Sequence, residues 1–315
     1  EMHKLRNGIR QRIHGARYHT PDSFDILEII GEGSFSTVYL AREKGTNEMV
    51  ALKVVEKARL HGDKGIERAL AERNILVQRQ HPFIVSLISS FQTETQLFYV
   101  LEFVQGGDLE TSIHRRIEYP LNQIKIYLAE ITSALLYLHK QGILYRDLKP
   151  DNILISADGH IKLADFGLSK YLGNENSTNS LCGTNQYLAP EVLNGENYGL
   201  EVDWWALGVL AFLLVCHTLP FTSDSPASLF RAIKTKTPHY RFGIDATARS
   251  FIEALLEKDP SARLGDAMIQ QHPFFEGVDW DNLHLNKSAI EIKPPIHRYE
   301  PSVSFLEPPR QTSDN

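Results

Sequence analysis

The stretch LYRDLKPDNILI, residues 144–155, places charged and amide side chains in a short segment between apolar ends. Among these side chains are Asp147, Lys149 and Asn152. The stretch KLADFGLSK, residues 162–170, adds Asp165 thirteen residues after Asn152. Three oxygen-bearing side chains near one basic group suit a magnesium-bound phosphate, because Mg²⁺ takes oxygen ligands and keeps several waters. We therefore predict a phosphate site around this ordered set.

A glycine-containing segment, GEGSFS, lies upstream and is followed by the strand-like run TVYLARE. Its members are Gly31, Glu32, Gly33, Ser34, Phe35 and Ser36. A dinucleotide-binding fingerprint requires a helix to start directly at the glycines, so the strand pattern argues against a dinucleotide oxidoreductase. The pattern instead predicts a strand–turn–strand unit whose backbone N–H groups approach phosphates. Taken alone, an ordinary hairpin turn remains the alternative to nucleotide binding.

Lys53 lies inside the apolar run VALKVV, residues 50–55. A lysine in such a strand usually extends its ammonium group to water. If the ammonium is buried, it requires an anionic partner, because an unpaired buried charge is costly. Glu72 is the candidate partner, since it lies nineteen residues later on an amphipathic helix predicted over 64–79.

The pattern of apolar and polar residues changes along the chain. From Phe24, short alternating runs predict an antiparallel β meander. After Gln105-Gly106-Gly107 the pattern is mainly helical, and the run IKIYLAEITSALLYLHKQG predicts a long helix ended by Gly142. The fold class predicted is α+β, with a small antiparallel β lobe that carries one key helix and a larger, mainly helical lobe.

Composition excludes several classes of protein. The 315 residues are 42% hydrophobic and 23% charged, which argues against disorder, collagen and coiled coil. The net charge of −6 argues against nucleic-acid binding, and two cysteines without metal-ligand spacing argue against a zinc site or a disulfide scaffold. We expect a reduced compartment, the cytoplasm with access to the nucleus.

Membrane insertion and secretion are not expected either. The most apolar run, WWALGVLAFLLVC, residues 204–216, is shorter than the roughly 20 residues a membrane-spanning helix needs, so it predicts a buried helix. No signal peptide is visible in residues 1–20. These residues are basic and predict a solvated, partly helical leader, with a weak membrane or partner contact as the alternative.

The ordered motifs resemble those of eukaryotic protein kinases of the AGC group, from Phe24 to about Trp280. Lys149 after Asp147 resembles the serine/threonine kinases, and Tyr145 before Arg146 resembles the AGC group. The segment GEGSFSTV is similar to the phosphoinositide-dependent kinase, whereas Tyr145 and LCGT are similar to protein kinase C and ribosomal S6 kinase relatives, so the subfamily stays open. The resemblance implies a bilobal kinase fold with these segments: a basic leader 1–23, an ATP-binding N-lobe 24–104, a catalytic and substrate-binding C-lobe 105–275, and an AGC-like tail 276–315.

The resemblance also implies catalytic roles. The loop Gly31–Ser36 covers the ATP phosphates, Lys53 contacts the α- and β-phosphate oxygens, and Glu72 orients Lys53. Asp147 accepts or orients the proton of the substrate hydroxyl, and Lys149 neutralises charge near the γ-phosphate. The residues implied to hold Mg²⁺ are Asn152 and Asp165.

For adenosine, the implied hinge is Glu102-Phe103-Val104, with Leu101 as gatekeeper. Asp108 corresponds to the acidic position that contacts ribose and substrate. The residues that sandwich adenine are Val38, Ala51 and Leu154. In the C-lobe, Glu191 and Arg263 are expected to form a buried ion pair. Asp203 is expected to anchor the catalytic loop, the short loop within residues 144–155 that contains Asp147, Lys149 and Asn152.

Ser180 occupies the position of the AGC activation-loop phosphate. A phosphate there adds about −1.5 to −2 charge and requires cationic partners. The candidate partners are Arg146, Lys170 and Arg68. An upstream kinase or autophosphorylation would supply the phosphate. The alternatives are an unmodified loop serine and, as weaker candidates for the phosphate, Ser177 and Thr178.

Substrate preference is partly readable from acidic residues. Asp108 and Asp151 are expected to receive an arginine upstream of the acceptor, whereas Leu213 occupies a position that is acidic in the cyclic-AMP-dependent kinase. We therefore predict protein substrates with basic upstream residues, relaxed at one position, and Leu168 favours serine over threonine.

The C-terminal stretch lacks a Phe-x-x-Phe motif. Either that motif lies outside this sequence or a partner supplies it to a groove of the N-lobe. A pseudokinase-type scaffold is the rival to an active kinase, and the presence of Lys53, Asp147 and Asp165 argues against it.

Overall fold

The structure is a computed structural model that describes residues 19–33, 36–60, 62–78, 80–173 and 177–286. It divides into two compact units. The first contains the described residues up to Arg73 together with Ser86–Phe103, and the second contains Asn74–Val85 and the described residues from Val104 onward. Each unit is described by itself below.

The first unit is built on β strands. Its elements are β1 (Phe24–Glu32), β2 (Ser36–Glu43), β3 (Met49–Glu56), α1 (Gly62–Gln78), β4 (Leu87–Gln92) and β5 (Gln96–Glu102). The strands form an antiparallel sheet in the order β1-β2-β3-β5-β4. Helix α1 starts in this unit and its residues from Asn74 belong to the second. The predicted β meander with one helix is confirmed.

One face of this sheet is fixed by alternating apolar residues. Phe24, Leu52, Val54 and Phe98 form a buried cluster on that face, together with Ala41, Val50 and Val100. Because side chains alternate along a strand, Lys53 points to the opposite face. Its cross-strand partners there are Val38 on β2 and Tyr99 on β5. The register therefore assigns Lys53 to the face where α1 packs, since Ala69 of that helix clusters with Tyr99.

The second unit is mainly helical. Its helices are α2 (Leu109–His114), α3 (Leu121–His139), α4 (Pro190–Leu193), α5 (Glu201–Cys216), α6 (Pro226–Thr235) and α7 (Ala246–Leu255). Its short strands are β6 (Ile143–Leu144), β7 (Ile153–Ile155), β8 (Ile161–Leu163) and β9 (Lys170–Tyr171). The α+β class is confirmed.

Helix α5 forms the buried centre of the second unit. Trp204, Trp205, Leu207 and Phe212 are almost fully buried, as expected for a helix that is apolar on all sides. Gly208 allows the close packing of α7, because a Cβ there would lie 2.8 Å from the Cβ of Leu255. In the part of the chain that the structure describes, no helix is both long enough and apolar enough to cross a bilayer.

Candidate active site

In the first unit, Lys53 forms a buried ion pair with Glu72. Lys53 Nζ donates to Glu72 Oε1 at 2.6 Å, and the two side chains are 9% and 7% exposed. Breaking a buried pair of this kind typically costs about 3–5 kcal/mol, because one charge is left uncompensated. The partner proposed for Lys53 from the sequence is therefore the partner that the structure provides.

Tyr99 holds the helix that carries Glu72. Its hydroxyl donates to the backbone oxygen of Ala69 at 2.9 Å, one helical turn before Glu72. Burial, followed by the charge of Glu72, raises the pKa of Tyr99 well above its ordinary value, so the phenol stays protonated and keeps donating. The position of α1 is thereby coupled to the strand opposite Lys53.

The glycine-containing loop joins β1 to β2 as a hairpin. Gly33 N donates to Ser36 O at 2.8 Å, and Gly31 lies opposite Val38. Glu32 ends β1. Ser34 and Phe35 lie outside the described residues. A strand follows the glycines, as the sequence pattern predicted.

The residues assigned to adenine by the resemblance are distributed over both units. In the first, Val38, Ala51 and Leu101 share the face of Lys53, with Ala51 opposite Leu101. Glu102 Oε1 accepts from Ser86 N at 2.7 Å. In the second, Val104 is buried, and Asp108 forms an isolated β bridge with Leu154.

Asp108 has a structural role that was not predicted from the sequence. Its Oδ1 accepts from Thr111 N at 2.6 Å and caps the N-terminus of α2. Aspartate is a favoured N-cap residue because its oxygen satisfies a helix N–H group. If ribose or substrate binds at Asp108, the same carboxylate must also cap helix α2.

In the second unit, Asp147 is buried among donors. Lys149 Nζ lies 3.2 Å from its Oδ2, and Asn152 Nδ2 donates to the same oxygen at 2.8 Å. Asn152 Nδ2 also lies 2.8 Å from the backbone oxygen of Asp147. Thr184 donates to Asp147 Oδ1 at 3.5 Å and receives a hydrogen bond from Lys149 at 3.3 Å. The carboxylate is thus held as an oriented, hydrogen-bonded anion.

Asp165 is held next to this loop by its backbone neighbours. Ala164 N donates to Asn152 O at 2.9 Å, and the Tyr145 hydroxyl donates to Ala164 O. Asp165 itself has a left-handed backbone, with φ of 50°. Such a conformation costs a non-glycine residue about 1–2 kcal/mol and is frequent at functional sites. The structure therefore brings the loop of Asp147 and Asn152 together with the segment of Asp165.

Asp203 anchors the catalytic loop from α5. Its Oδ2 accepts from Tyr145 N and its Oδ1 accepts from Arg146 N, both at 2.8 Å. Arg146 has φ of 68°, so these bonds support a second left-handed residue directly before Asp147. The anchor expected from the sequence is confirmed, as is the buried pair between Glu191 and Arg263, at 2.7 and 3.0 Å.

Ser180 lies within reach of two of its three candidate cations. Arg146 Nη1 donates to Ser180 Oγ at 2.7 Å. Lys170 Nζ donates to Thr178 Oγ1 at 3.0 Å, and that hydroxyl lies 3.3 Å from Ser180 Oγ. The side chain of Arg68 lies outside the described residues. Tyr198 donates to the backbone oxygen of Ser180 at 2.5 Å. The hydroxyl thus already faces positive charge.

The segment after Ser180 packs closely against the catalytic loop. At Gly183, where φ is +111°, a Cβ would lie 3.1 Å from Arg146 O and 3.2 Å from Leu188 Cδ2. Only glycine fits this close approach with this backbone. Asp147 and Thr184 line a pocket together with the apolar side chains of Leu188, Val192 and Val202.

A role for Thr184 was not predicted from the sequence, where LCGT indicated only a resemblance to the AGC group. In the structure the Thr184 hydroxyl lies between Lys149 and Asp147. The only local indication of this role was that Thr184 carries a hydroxyl directly after Gly183. No local pattern related it to a loop 35 residues earlier.

The comparisons with known proteins agree with this arrangement. The protein kinase domain family matches residues 24–275. The chain is 41% identical over 295 residues to "Protein kinase 2" of Dictyostelium discoideum. The matched residues cover 92% of this chain and 61% of that protein. It is 41% identical over 289 residues to the "RAC family serine/threonine-protein kinase homolog" of the same organism, covering 90% of this chain and 64% of that protein.

A third relative is "Protein kinase C epsilon type" of Oryctolagus cuniculus, 41% identical over 284 residues, covering 87% of this chain and 39% of that protein. The chain therefore spans less than two thirds of the length of these relatives. Their names agree with the features that Tyr145, Lys149 and the LCGT segment indicated. The chain belongs to the protein kinase domain family.

Proposed function

We propose that this chain transfers the γ-phosphoryl group of ATP to serine or threonine hydroxyls of protein substrates. The observation that carries the proposal is the environment of Asp147, a buried carboxylate whose oxygens face Lys149, Asn152 and Thr184. Phosphoryl transfer needs little covalent chemistry from the protein, so positioning and charge neutralisation dominate. The family, the buried Lys53–Glu72 pair and the left-handed Asp165 support the same activity.

Each residue has a separate task in this proposal. Asp147 accepts or orients the proton of the attacking hydroxyl, and Asn152 and Lys149 fix its Oδ2 so that Oδ1 faces Thr184 and the incoming group. Lys149 neutralises charge that develops on the transferred group. Lys53 binds the α- and β-phosphate oxygens, and Glu72 keeps its ammonium in place.

The residues present also fit Mg²⁺. In the described ranges, no group of three His, Cys, Asp or Glu side chains forms a metal site. The magnesium of a nucleotide complex needs only one or two protein carboxylates, because phosphates and waters complete its shell. Asn152 uses its Nδ2 for both contacts with Asp147, so these bonds do not occupy its amide oxygen, the atom that a metal would take. Asn152 and Asp165 would hold the ion, which when bound offsets phosphate charge.

The test is transfer of labelled phosphate from ATP to peptides in the presence of Mg²⁺, with the acceptor identified by mass spectrometry. We expect phosphoserine or phosphothreonine in the peptide. A pseudokinase scaffold would bind nucleotide or partners but give no transfer at any peptide concentration, and that result would remove the proposal.

We further propose that phosphorylation of Ser180 activates the chain. A phosphate carries about −1.5 to −2 charge and forms strong hydrogen bonds with cations. Arg146 already donates to the Ser180 hydroxyl, and its backbone precedes Asp147. Lys170 reaches the adjacent Thr178 hydroxyl. A phosphate on Ser180 would therefore attach the segment that contains Thr178 and Ser180 to the catalytic loop.

Ser180→Ala is expected to lower kcat about 10-fold or more, because it removes the charge-assisted hydrogen bonds that the phosphate would make. The measurement compares phosphorylated wild type, phosphatase-treated wild type and the variant in the same peptide assay. Ser223→Ala is the control, since it removes an exposed serine elsewhere in the second unit. Unchanged activity and unchanged phosphorylation of the Ser180 variant would contradict the proposal.

The substrate class that we propose is a peptide with basic residues before the acceptor. Asp151 is exposed on the segment that follows Lys149, and Glu110 lies in the first turn of α2. Burial, then the charges of Asp151 and Asp108, raise the pKa of Glu110. Three carboxylates thus share one region of the second unit, and such a region attracts guanidinium groups.

Asp151→Asn is expected to raise KM about 10-fold for a peptide with arginine before the acceptor, because one charge-assisted hydrogen bond is lost. The value of kcat should change little. A peptide with alanine in place of that arginine is the control, and wild type and variant should use it equally. A peptide array that favours acidic upstream residues would overturn this substrate class.

A docking partner that carries a Phe-x-x-Phe motif also remains a prediction. Residues 287–315 of the predicted tail lie outside the described residues.

A further inference from the structure

His139 is completely buried near the end of α3, with its ring between two carboxylates. Its Nε2 lies 2.9 Å from Asp203 Oδ2, and its Nδ1 lies 3.0 Å from Asp266 Oδ1. Ionised carboxylates only accept hydrogen bonds, so both ring nitrogens have to donate. The ring is therefore an imidazolium with two anionic neighbours.

One of these neighbours is the anchor of the catalytic loop. Asp203 Oδ2, which faces His139, is the same oxygen that accepts from Tyr145 N. Its Oδ1 accepts from Arg146 N. Any rotation of this carboxylate would move the N–H groups of the two residues before Asp147, including the strained backbone of Arg146.

The other neighbour, Asp266, lies in the segment after Arg263, and its side chain is 43% exposed. Trp204 of α5 donates its Nε1–H to Asp266 Oδ1 at 2.7 Å. The Trp204 ring also meets the His139 ring edge-on, with centroids 4.9 Å apart. Asp266 is thus fixed on one side by Trp204 and on the other by His139.

The charge state of His139 agrees with this geometry. Burial alone would lower its pKa, but hydrogen bonds and charges from Asp203 and Asp266 outweigh burial and raise the pKa to about 9. Burial opposes ionisation of Asp266 as well, yet the hydrogen bond and charge of His139 lower the pKa of that carboxyl. The charged groups that face His139 are Asp203 from α5 and Asp266 from the segment after Arg263.

We propose that Asp266 is a positioning residue for the phosphoryl transfer proposed above: through the ring of His139, it fixes the carboxylate of Asp203 against the backbone N–H groups that precede Asp147. The inference rests on the proposed function. Asp266 touches neither substrate nor nucleotide in this role, so it should affect the rate of transfer and leave substrate binding unchanged.

Asp266→Asn is expected to lower kcat about 10-fold, with KM for ATP and peptide within about twofold of wild type, because small misplacements of a catalytic group lower the rate of the chemical step. The pH profile adds a readout that a purely structural role would not change. In wild type, His139 loses its proton only as the pH rises through about 9. In the variant one anionic neighbour of His139 is gone, so the pKa of His139 is lower and the ring loses its proton nearer neutral pH. The kcat of the variant should therefore fall as the pH rises from about 6 to 8.

Asp266→Glu keeps the charge and should restore most of kcat and the wild-type pH profile. Asp224→Asn removes an exposed carboxylate of the same unit and is the matched control. If Asp266→Asn unfolds below the assay temperature, Trp204→Phe, which removes the indole hydrogen bond to Asp266, must lower kcat in the same pH-dependent way. A folded variant with unchanged kcat and pH profile overturns the inference.

The NMR spectrum of wild type provides a measurement independent of turnover. We expect two slowly exchanging ring N–H protons of His139 at about pH 7.5, since both face carboxylates. A neutral His139 ring at this pH overturns the inference whatever the enzyme activity. Absence of transfer by wild type, with a doubly protonated His139, would instead contradict the proposed function alone.

Discussion

Replacement of Asp147 by asparagine is expected to lower kcat of phosphoryl transfer by about 10²- to 10⁴-fold, the usual contribution of a positioned proton acceptor. Asparagine has nearly the shape of aspartate, but its amide is not a base. The carboxylate oxygen that now receives hydrogen bonds from Asn152 and Lys149 would be replaced by an amide O or N–H. KM for ATP should stay near the wild-type value, because Asp147 has no role in nucleotide binding in the proposal.

The measurement combines turnover with binding. Labelled transfer gives kcat and KM, and calorimetry with magnesium nucleotide shows whether the variant still binds. Asp224→Asn serves again as the control for loss of one carboxylate. Residual turnover within about tenfold of wild type would assign the proton acceptor to another group, because a positioned base contributes more than that. Inactive wild type with intact nucleotide binding would identify a scaffold.

The main elements of the fold were predictable because they are long and periodic. Strands β1 to β3 and β5 are seven to nine residues long and rich in apolar and β-branched residues, and α3 and α5 extend over 19 and 16 residues. Strands β6 to β9 were not predicted, because they have only two or three residues each and a pattern that short has no measurable period. The short helix α2 was also not predicted, although Asp108 is a favoured N-cap residue.

The candidate site was predictable where its residues are adjacent in sequence. Asp147, Lys149 and Asn152 lie within six residues, so one stretch indicated their chemistry. His139 and Asp266 are separated by 127 residues, and nothing local marks either as a partner of the catalytic loop. Such contacts arise from the packing of α3 against α5, and that packing is a property of the folded unit and not of a motif.

Arg263→Ala is expected to destabilise the second unit by about 3–5 kcal/mol, the usual result of removing one partner of a buried ion pair. The Arg263 and Glu191 side chains are 0% and 2% exposed. Arg263 also donates to the backbone oxygens of Glu257 and Glu201, both at 3.0 Å, and its guanidinium lies 5.2 Å from the centre of the Trp205 ring. Alanine would leave the carboxylate and two carbonyl groups without this donor. For a unit of this size the midpoint of thermal unfolding should fall by about 10 °C.

The cause of this loss can be separated from lost packing by a second replacement. If the penalty comes mainly from the uncompensated carboxylate, Arg263→Met combined with Glu191→Leu should be more stable than Arg263→Met alone, because no charge is then buried. Glu253→Gln tests the opposite case, since Glu253 pairs with Arg249 where both side chains are about half exposed. That midpoint should hardly change, because solvent screens an exposed pair. A double variant that unfolds as early as the single one would show that Arg263 stabilises the unit through its backbone and Trp205 contacts, with Glu191 as a minor partner.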